Sequence, residues 1–173
     1  MSNEEKRMSA REFALNAHGN QMYGEFSYIK HLDDVAELVD SSSLFVKGNV
    51  SDVHDAAYLH DSLEDTSADP VMISLLFGPK VLALVEAVTK TPGLSRKAGF
   101  KPSMQKIVDT GDDAVLLKLC DRVANVNSCI MTNHVELLKM YRAEHAGFVK
   151  MLRKPGDNNP KWSLLDMLFM STR

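Results

Sequence analysis

An all-α fold, a single helical bundle, is what this sequence predicts, and three observations predict it. Apolar residues recur at three- and four-residue spacing through most of the chain. No run of β-branched residues alternates with period two. Only six prolines and nine glycines interrupt the 173 residues. A chain of this length buries roughly 68–70% of its unfolded surface, so the core needs neither a metal nor a disulfide to form.

Each element has its own signal. Ser9 is a helix cap, and the first helix runs to about His18 with Phe13 and Ala17 on one side. HLDDVAELVD (31–40) reads as the second helix, and Ser51 or Asp52 starts a third that continues through about Glu64. Asp69 starts VMISLLF, which Gly78 stops, and VLALVEAV lies in a fifth helix, 79–90, that ends before Pro92. TPGLSRKAGFKPS (91–103) reads as a loop because it holds two prolines and two glycines. Helices are expected at 104–110, 113–131 and 134–153. Pro155 and Gly156 then break the chain, and DNNP sets off a last helix, 161–170, which Trp162 docks. The expected layout is one domain over 1–155 with residues 156–173 packed on it.

Composition narrows the function. Net charge is −3 and the pI about 6.1, so the basic stripe that nucleic acids require is missing. Cys120 and Cys129 have no CxxC spacing, which argues against a disulfide framework and a Cys-rich zinc site and fits a reducing compartment. Apolar runs are short and broken by charge, as at Val81–Val85 before Glu86, so no transmembrane helix is expected. MSNEEKRMSAREF lacks the apolar centre of a signal peptide. A cytoplasmic protein with no membrane partner is the expectation.

Two helices carry acidic or histidine residues where apolar ones belong. In 52–64, Val53, Ala56, Ala57, His60 and Glu64 share one face, with Asp61 and Asp65 one step round. One imidazole and three carboxylates turned inward are costly unless a cation neutralises them, and a divalent metal is the simplest. In 113–126, Asp121 shares a stripe with Ala114, Leu117 and Ala124. It is expected to be buried or at the floor of a cleft, either paired with Arg122 or Lys118 or serving a site. Asn125, one turn on, either orients Asp121 or meets a ligand. His-Asp occurs twice, at His54–Asp55 and His60–Asp61. The second pair is followed by Leu63–Glu64–Asp65–Thr66 and is the one that carries chemistry; the first is expected to be exposed.

YLHDSLEDT (58–66) resembles the signature of HD-domain phosphohydrolases. More narrowly, it is similar to the hydrolase domain of RelA/SpoT-type alarmone enzymes and their small single-domain relatives. Those proteins remove pyrophosphate from the 3′ position of guanosine tetra- and pentaphosphate (ppGpp and pppGpp). AHGNQ (17–21), YIKHLDDVA (28–36), FGPKVLALVEAVTK (77–90) and LLKLCDRVANV (116–126) match further blocks in the same order. MYRAEHAGF (140–148) is similar to a segment of small bacterial and phage-type members.

The resemblance implies an HD-domain bundle around one divalent cation held by His31, His60, Asp61 and Asp121. Manganese is the first candidate, with Fe²⁺, Mg²⁺ and Zn²⁺ as alternatives, since mixed imidazole and carboxylate ligands suit such ions. Glu64 and Asp65 match the catalytic acidic pair. A cation polarises the phosphoryl group, and a nearby carboxylate positions water or takes its proton. Asn125 matches a substrate contact beside the metal.

The match departs at one informative place. The family carries Arg-Lys between the glutamine of AHxxQ and the next glycine, and that arginine lines the guanine base. Here Met22 and Tyr23 separate Gln21 from Gly24, and the segment is shorter by one residue. Tyr23 is either a platform on which a base stacks or a packing residue. Leu32 and Ala124 replace a proline and a histidine without touching a proposed ligand. Arg96, Lys97, Lys101 and Lys106, with Lys90 and Lys118, either meet a polyphosphate or are solvated. His18 matches a position beside the site or hydrogen-bonds in the core. His134 and His145 belong to no motif and read as surface residues, and the ten methionines read as core filler.

The expected function is therefore metal-dependent hydrolysis of a small-molecule nucleotide, with the 3′-pyrophosphate of ppGpp first. One alternative is an HD-type nucleotidase or phosphatase acting on a nucleoside monophosphate or a nicotinamide dinucleotide phosphate. Another is a protein that sequesters a nucleotide without turnover.

Overall fold

A computed structural model describes residues 8–171. Helix α1 (Ala10–His18) leads into a two-stranded hairpin, β1 (Met22–Tyr23) and β2 (Phe26–Ser27). Then come α2 (Ile29–Asp40), a 3₁₀ turn over Ser43–Phe45, α3 (Val50–Leu59), α4 (Ser62–Asp65), α5 (Pro70–Phe77) and α6 (Pro79–Val88). The chain continues with α7 (Arg96–Thr110), α8 (Asp112–Met131), α9 (Val135–Leu152) and α10 (Pro160–Met170). This is the all-α bundle that the spacing predicts.

The caps are those the sequence advertises. Ser9 and Glu12 form a reciprocal capping box on α1. Asn49, Asp69, Ser95 and Asn159 each accept a backbone N–H at the start of α3, α5, α7 and α10.

Helix α8 is the axis of the bundle, because α2, α3, α6, α7, α9 and α10 all pack on it. Twelve of its residues are buried, Leu117, Cys120 and Asp121 among them, so almost every face meets another element. Burial pushes the Cys120 thiol up to about 12. Helix α10 packs against α8; its Trp162 is buried with the ring 5.9 Å from that of Phe148, and its Nε1–H donates to Asp157 at 2.7 Å.

Four expectations need correction. Residues 96–103 are not loop: α7 starts at Arg96 and runs through Pro102. The Ser95 cap and the burial of Met104 and Ile107 outweigh the donor that proline removes. Phe100 also packs here on Gly147 of α9, where an added Cβ would lie 3.3 Å from the ring. The helix expected over 52–64 breaks at His60 and Asp61 into α3 and α4. A short hairpin, with Tyr23 opposite Phe26 and a left-handed φ at Gly24, follows α1 where no strand was expected. Finally, only Met104 of the described methionines is buried, while Met22, Met131, Met167 and Met170 are exposed.

Candidate active site

Three separate elements bring the polar residues together. His31 lies in the first turn of α2, His60 ends α3, and Asp121 sits midway along α8; all three are buried. Each offers one ligand atom, and these atoms lie within 4.8 Å of one another. Asp121 Oδ1 is 3.5 Å from His31 Nε2 and 3.6 Å from His60 Nε2. The break after α3 adds Asp61, whose Oδ2 is 3.0 Å from His60 Nε2 and 3.6 Å from His31 Nε2. Asp61 adopts φ −99° and ψ −3°, in the sparsely allowed bridge region, which turns its carboxylate back toward the two rings.

The two imidazoles are oriented differently. His60 Nδ1–H donates to the Ala57 carbonyl at 2.8 Å, which turns Nε2 to the cluster. That Nε2 is buried and has no hydrogen-bond partner among the described residues. The Tyr23 ring instead holds His31 by stacking at 4.7 Å and 27°. Burial disfavours the His60 imidazolium, yet the Asp61 and Asp121 carboxylates prevail and hold it well above the ordinary histidine range. Burial likewise opposes ionised Asp121, but Lys118 and the imidazoles keep its carboxyl well below the usual range. A pocket of this charge, with an orphaned ring nitrogen, fits a divalent cation.

A set of partners surrounds the cluster. Lys118 Nζ donates to Asp121 Oδ2 at 2.8 Å, while Oδ1 is the oxygen that faces the histidines. Arg122, the other partner considered for Asp121, turns away to Glu144 at 3.1 Å. Asn125 Nδ2 donates to the Asp121 backbone carbonyl at 3.0 Å and also to its Oδ1. The Tyr23 hydroxyl donates to Asn125 Oδ1 at 2.9 Å, and burial pushes that hydroxyl up to about 12. Asn125 thus orients the aspartate, and Tyr23 holds Asn125.

Glu64 and Asp65, in the single turn of α4, stand at the rim. Glu64 accepts from the Lys90 backbone N–H at 3.2 Å and from its ammonium. Asp65 accepts from Gln21 Nε2 at 3.1 Å, and Gln21 Oε1 meets His18 Nδ1 at 2.8 Å. His18 stacks on Tyr28 at 4.5 Å, and the Tyr28 hydroxyl donates to Asp61 Oδ2 at 2.5 Å. Tyr28 and Gln21 are the residues that sequence reasoning missed. The available signal for Tyr28 was its place one helical turn before His31; Gln21 lies beyond the end of α1, where helical spacing gives none.

A cavity of about 230 Å³ adjoins the cluster, lined by Lys90, Arg96, Lys118 and Arg122 among others. Arg96 is a fork partner of Glu144 at 2.7 and 3.0 Å. Lys97, the next residue, is exposed and does not line this cavity. Lys106 donates to the Thr89 carbonyl at 2.5 Å. His54 pairs with Asp40 at 2.7 Å, away from the cluster. His145 is not a plain surface residue: it meets Asp166 at 2.8 Å and ties α9 to α10.

Residues 10–142 match the model of the HD domain family. The chain belongs to the HD domain family. HD-domain hydrolases depend on a metal, and the cluster of His31, His60 and Asp121 agrees with that. This HD-domain chain is 37% identical over 129 residues to a guanosine-3′,5′-bis(diphosphate) 3′-pyrophosphohydrolase of Aquifex aeolicus, a match covering 72% of the chain but only 18% of that larger protein. It is 31% identical over 126 residues to the Drosophila melanogaster protein of the same name, MESH1, with 70% of this chain and 68% of that one covered. A solved metazoan ortholog of SpoT, described as hydrolysing ppGpp, superposes with a TM-score of 0.80 at 25% identity, over 99% of this chain and 97% of the other. The likeness to RelA/SpoT-type hydrolase domains seen in the motifs is thereby borne out. Among the described residues, no helix is long and apolar enough to cross a membrane.

Proposed function

We propose that this HD-domain chain is a metal-dependent phosphohydrolase of nucleotides, and that the 3′-pyrophosphate of ppGpp or pppGpp is its first substrate. The reading is carried by the convergence of Asp121 Oδ1 with the Nε2 atoms of His31 and His60, beside an acidic pair at the rim. Its relatives' printed activities support the choice of substrate. His31, His60, Asp61 and Asp121 are the ligands, and Mn²⁺ is the cation, ahead of Fe²⁺, Mg²⁺ and Zn²⁺. A bound cation of this kind polarises a phosphoryl oxygen and makes water more acidic.

The remaining work falls to side chains. Glu64 and Asp65 orient the attacking water and take its proton as its oxygen bonds to phosphorus. The bond from that phosphorus to the 3′ oxygen breaks, and the 3′ oxygen takes up a proton relayed by the same pair. The products are pyrophosphate and guanosine 5′-diphosphate from ppGpp, or guanosine 5′-triphosphate from pppGpp. Lys118 and Arg96 face the phosphates, and Asn125 holds Asp121. Residues 1–155 make up the catalytic domain and 156–173 brace it, in a cytoplasmic protein.

A second reading keeps the chemistry and changes the nucleotide. It is favoured by Tyr23, which packs its ring on His31 and gives its hydroxyl to Asn125, in the segment where the family carries its guanine-lining arginine. The deciding experiment incubates the protein and manganese with a panel of ppGpp, nucleoside monophosphates and nicotinamide dinucleotide phosphate, with products resolved by chromatography. Pyrophosphate release from ppGpp supports the first reading; orthophosphate from another member supports the second. Asp121→Ala should abolish metal binding and turnover. Glu64→Gln should keep the metal and lose roughly 10²–10⁴-fold in kcat. Tight nucleotide binding without turnover under all conditions would replace both readings by sequestration.

A further inference from the structure

The two members of the acidic pair at the rim are held in different ways. Glu64 is held by a cation, Lys90. Asp65 is exposed, and among the described residues its carboxylate has one hydrogen-bond partner, the Gln21 side chain at 3.1 Å. A neutral amide fixes the direction of a carboxylate while lowering its basicity less than a cation does. An ionised carboxylate only accepts, so the amide nitrogen of Gln21 faces Asp65 and the amide oxygen faces away. That oxygen lies 2.8 Å from His18 Nδ1, which must therefore carry a proton and act as the donor. The charge on Asp65 thus sets the direction of both bonds in the chain His18–Gln21–Asp65.

The surroundings make this chain stiff. Gln21 N–H donates to the His18 carbonyl at 2.9 Å, and the Gln21 carbonyl accepts from Tyr28 N–H at 3.0 Å. Both backbone groups and both ends of the Gln21 side chain are therefore engaged. His18 is 7% exposed, ends α1 and stacks on Tyr28. Its Nε2 is buried with no hydrogen-bond partner among the described residues, so the ring serves polar contacts through Nδ1 alone. Packing on Tyr28 needs only an apolar ring, whereas a buried imidazole must be matched by a partner, and the partner here is the glutamine that reaches the rim. We infer that His18 and Gln21 are positioning residues, a relay of two hydrogen bonds anchored at the buried end of α1 that aims the Asp65 carboxylate at the reacting water. The inference rests on the hydrolase reading for what Asp65 acts upon, and on the geometry alone for what holds Asp65.

Two substitutions at His18 separate positioning from packing. His18→Phe keeps a ring on Tyr28 and removes the Nδ1 donor, while His18→Asn removes the ring and returns an N–H donor near the place of Nδ1. With whichever nucleotide the panel shows to be cleaved, Gln21→Met should lower kcat about 10-fold and leave KM unchanged, as misplacement of a group that acts in the transition state does. His18→Phe should lower kcat likewise, and His18→Asn should recover most of it. The reverse order, with His18→Phe active and His18→Asn impaired, assigns His18 to packing and overturns the relay, as does full activity of Gln21→Met. Gln21 is only half-buried, so its variant answers even where a His18 variant fails to fold. A second readout needs neither metal nor substrate. In the protein held in EDTA, the Gln21 side-chain amide resonances in a ¹⁵N NMR spectrum should shift on His18→Phe and on Asp65→Ala. Resonances that stay in place in both variants overturn the relay. If the unaltered protein turns over no member of the panel while these resonances move, the hydrolase reading fails and the hold of His18 and Gln21 on Asp65 stands.

Discussion

Tyr23 serves the site with both ends of its side chain: the ring supports His31, and the hydroxyl holds Asn125, which holds Asp121. Tyr23→Phe separates the two, since it keeps the ring and removes the hydroxyl. Manganese affinity should fall about 10-fold, the lower end of what an outer hydrogen-bond partner is worth to a metal site. The unfolding midpoint should hardly move; unchanged manganese titration would leave the hydroxyl without a role. His60 and Asp121 were legible in the sequence because each breaks an apolar stripe. Gln21 and Glu144 were not, because each meets its partner 44 and 48 positions away along the chain. Such pairings come from tertiary packing, which helix periodicity does not encode. Tyr23 stood out only as a departure from a family pattern, and its two contacts needed the hairpin to be seen.

At the level of elements, the break between α3 and α4 matters most. A continuous helix would turn Asp61 about 100° round from His60, away from His31 and Asp121. The break instead lets neighbours in sequence become neighbours in the site, and it frees Glu64 and Asp65 to form a separate rim. Sequence spacing predicted helix on both sides of the break and gave no sign of it, since no glycine or proline marks the place. The opposite error befell α7, where Pro102 and two glycines argued for a loop that packing overrode. This helix delivers Arg96 to Glu144 of α9, and the pair has a pH signature. Burial opposes the Glu144 carboxylate, but Arg96 and Arg122 hold it below the usual glutamate range. A carboxyl depressed in this way stabilises the fold fully above the unfolded value of about 4.3 and loses that contribution as pH falls through its lower folded value. Urea unfolding should therefore show wild type ahead of Glu144→Gln near neutral pH, with the gap narrowing below about pH 4. A gap independent of pH would assign the difference to packing.

For the molecule as a whole, α8 joins the cluster of His31, His60 and Asp121 to everything else, and α10 closes its far side. Trp162, 1% exposed, is the main anchor of that closure. Trp162→Ala should cost about 3–5 kcal/mol in a urea or thermal unfolding experiment, as large aromatic truncations in cores do. A loss under about 1 kcal/mol would mean that α10 adds little to the bundle. The bundle class and the docking role of Trp162 were both legible from spacing and from the Pro-Gly break before α10. The centrality of α8 was visible only in part, since amphipathic spacing foretold one buried face where the structure buries nearly all of them.

Cys120 precedes Asp121 on this axis, and it is fully buried with a thiol pushed up to about 12. A thiol in that state neither ionises near neutral pH nor meets an alkylating reagent until the bundle opens. Its modification rate is therefore a clock for breathing motions at the centre of the protein. A cation bound by His31, His60 and Asp121 would link α2, α3 and α8 across that opening, so manganese should slow the clock by the same factor by which it stabilises the closed state.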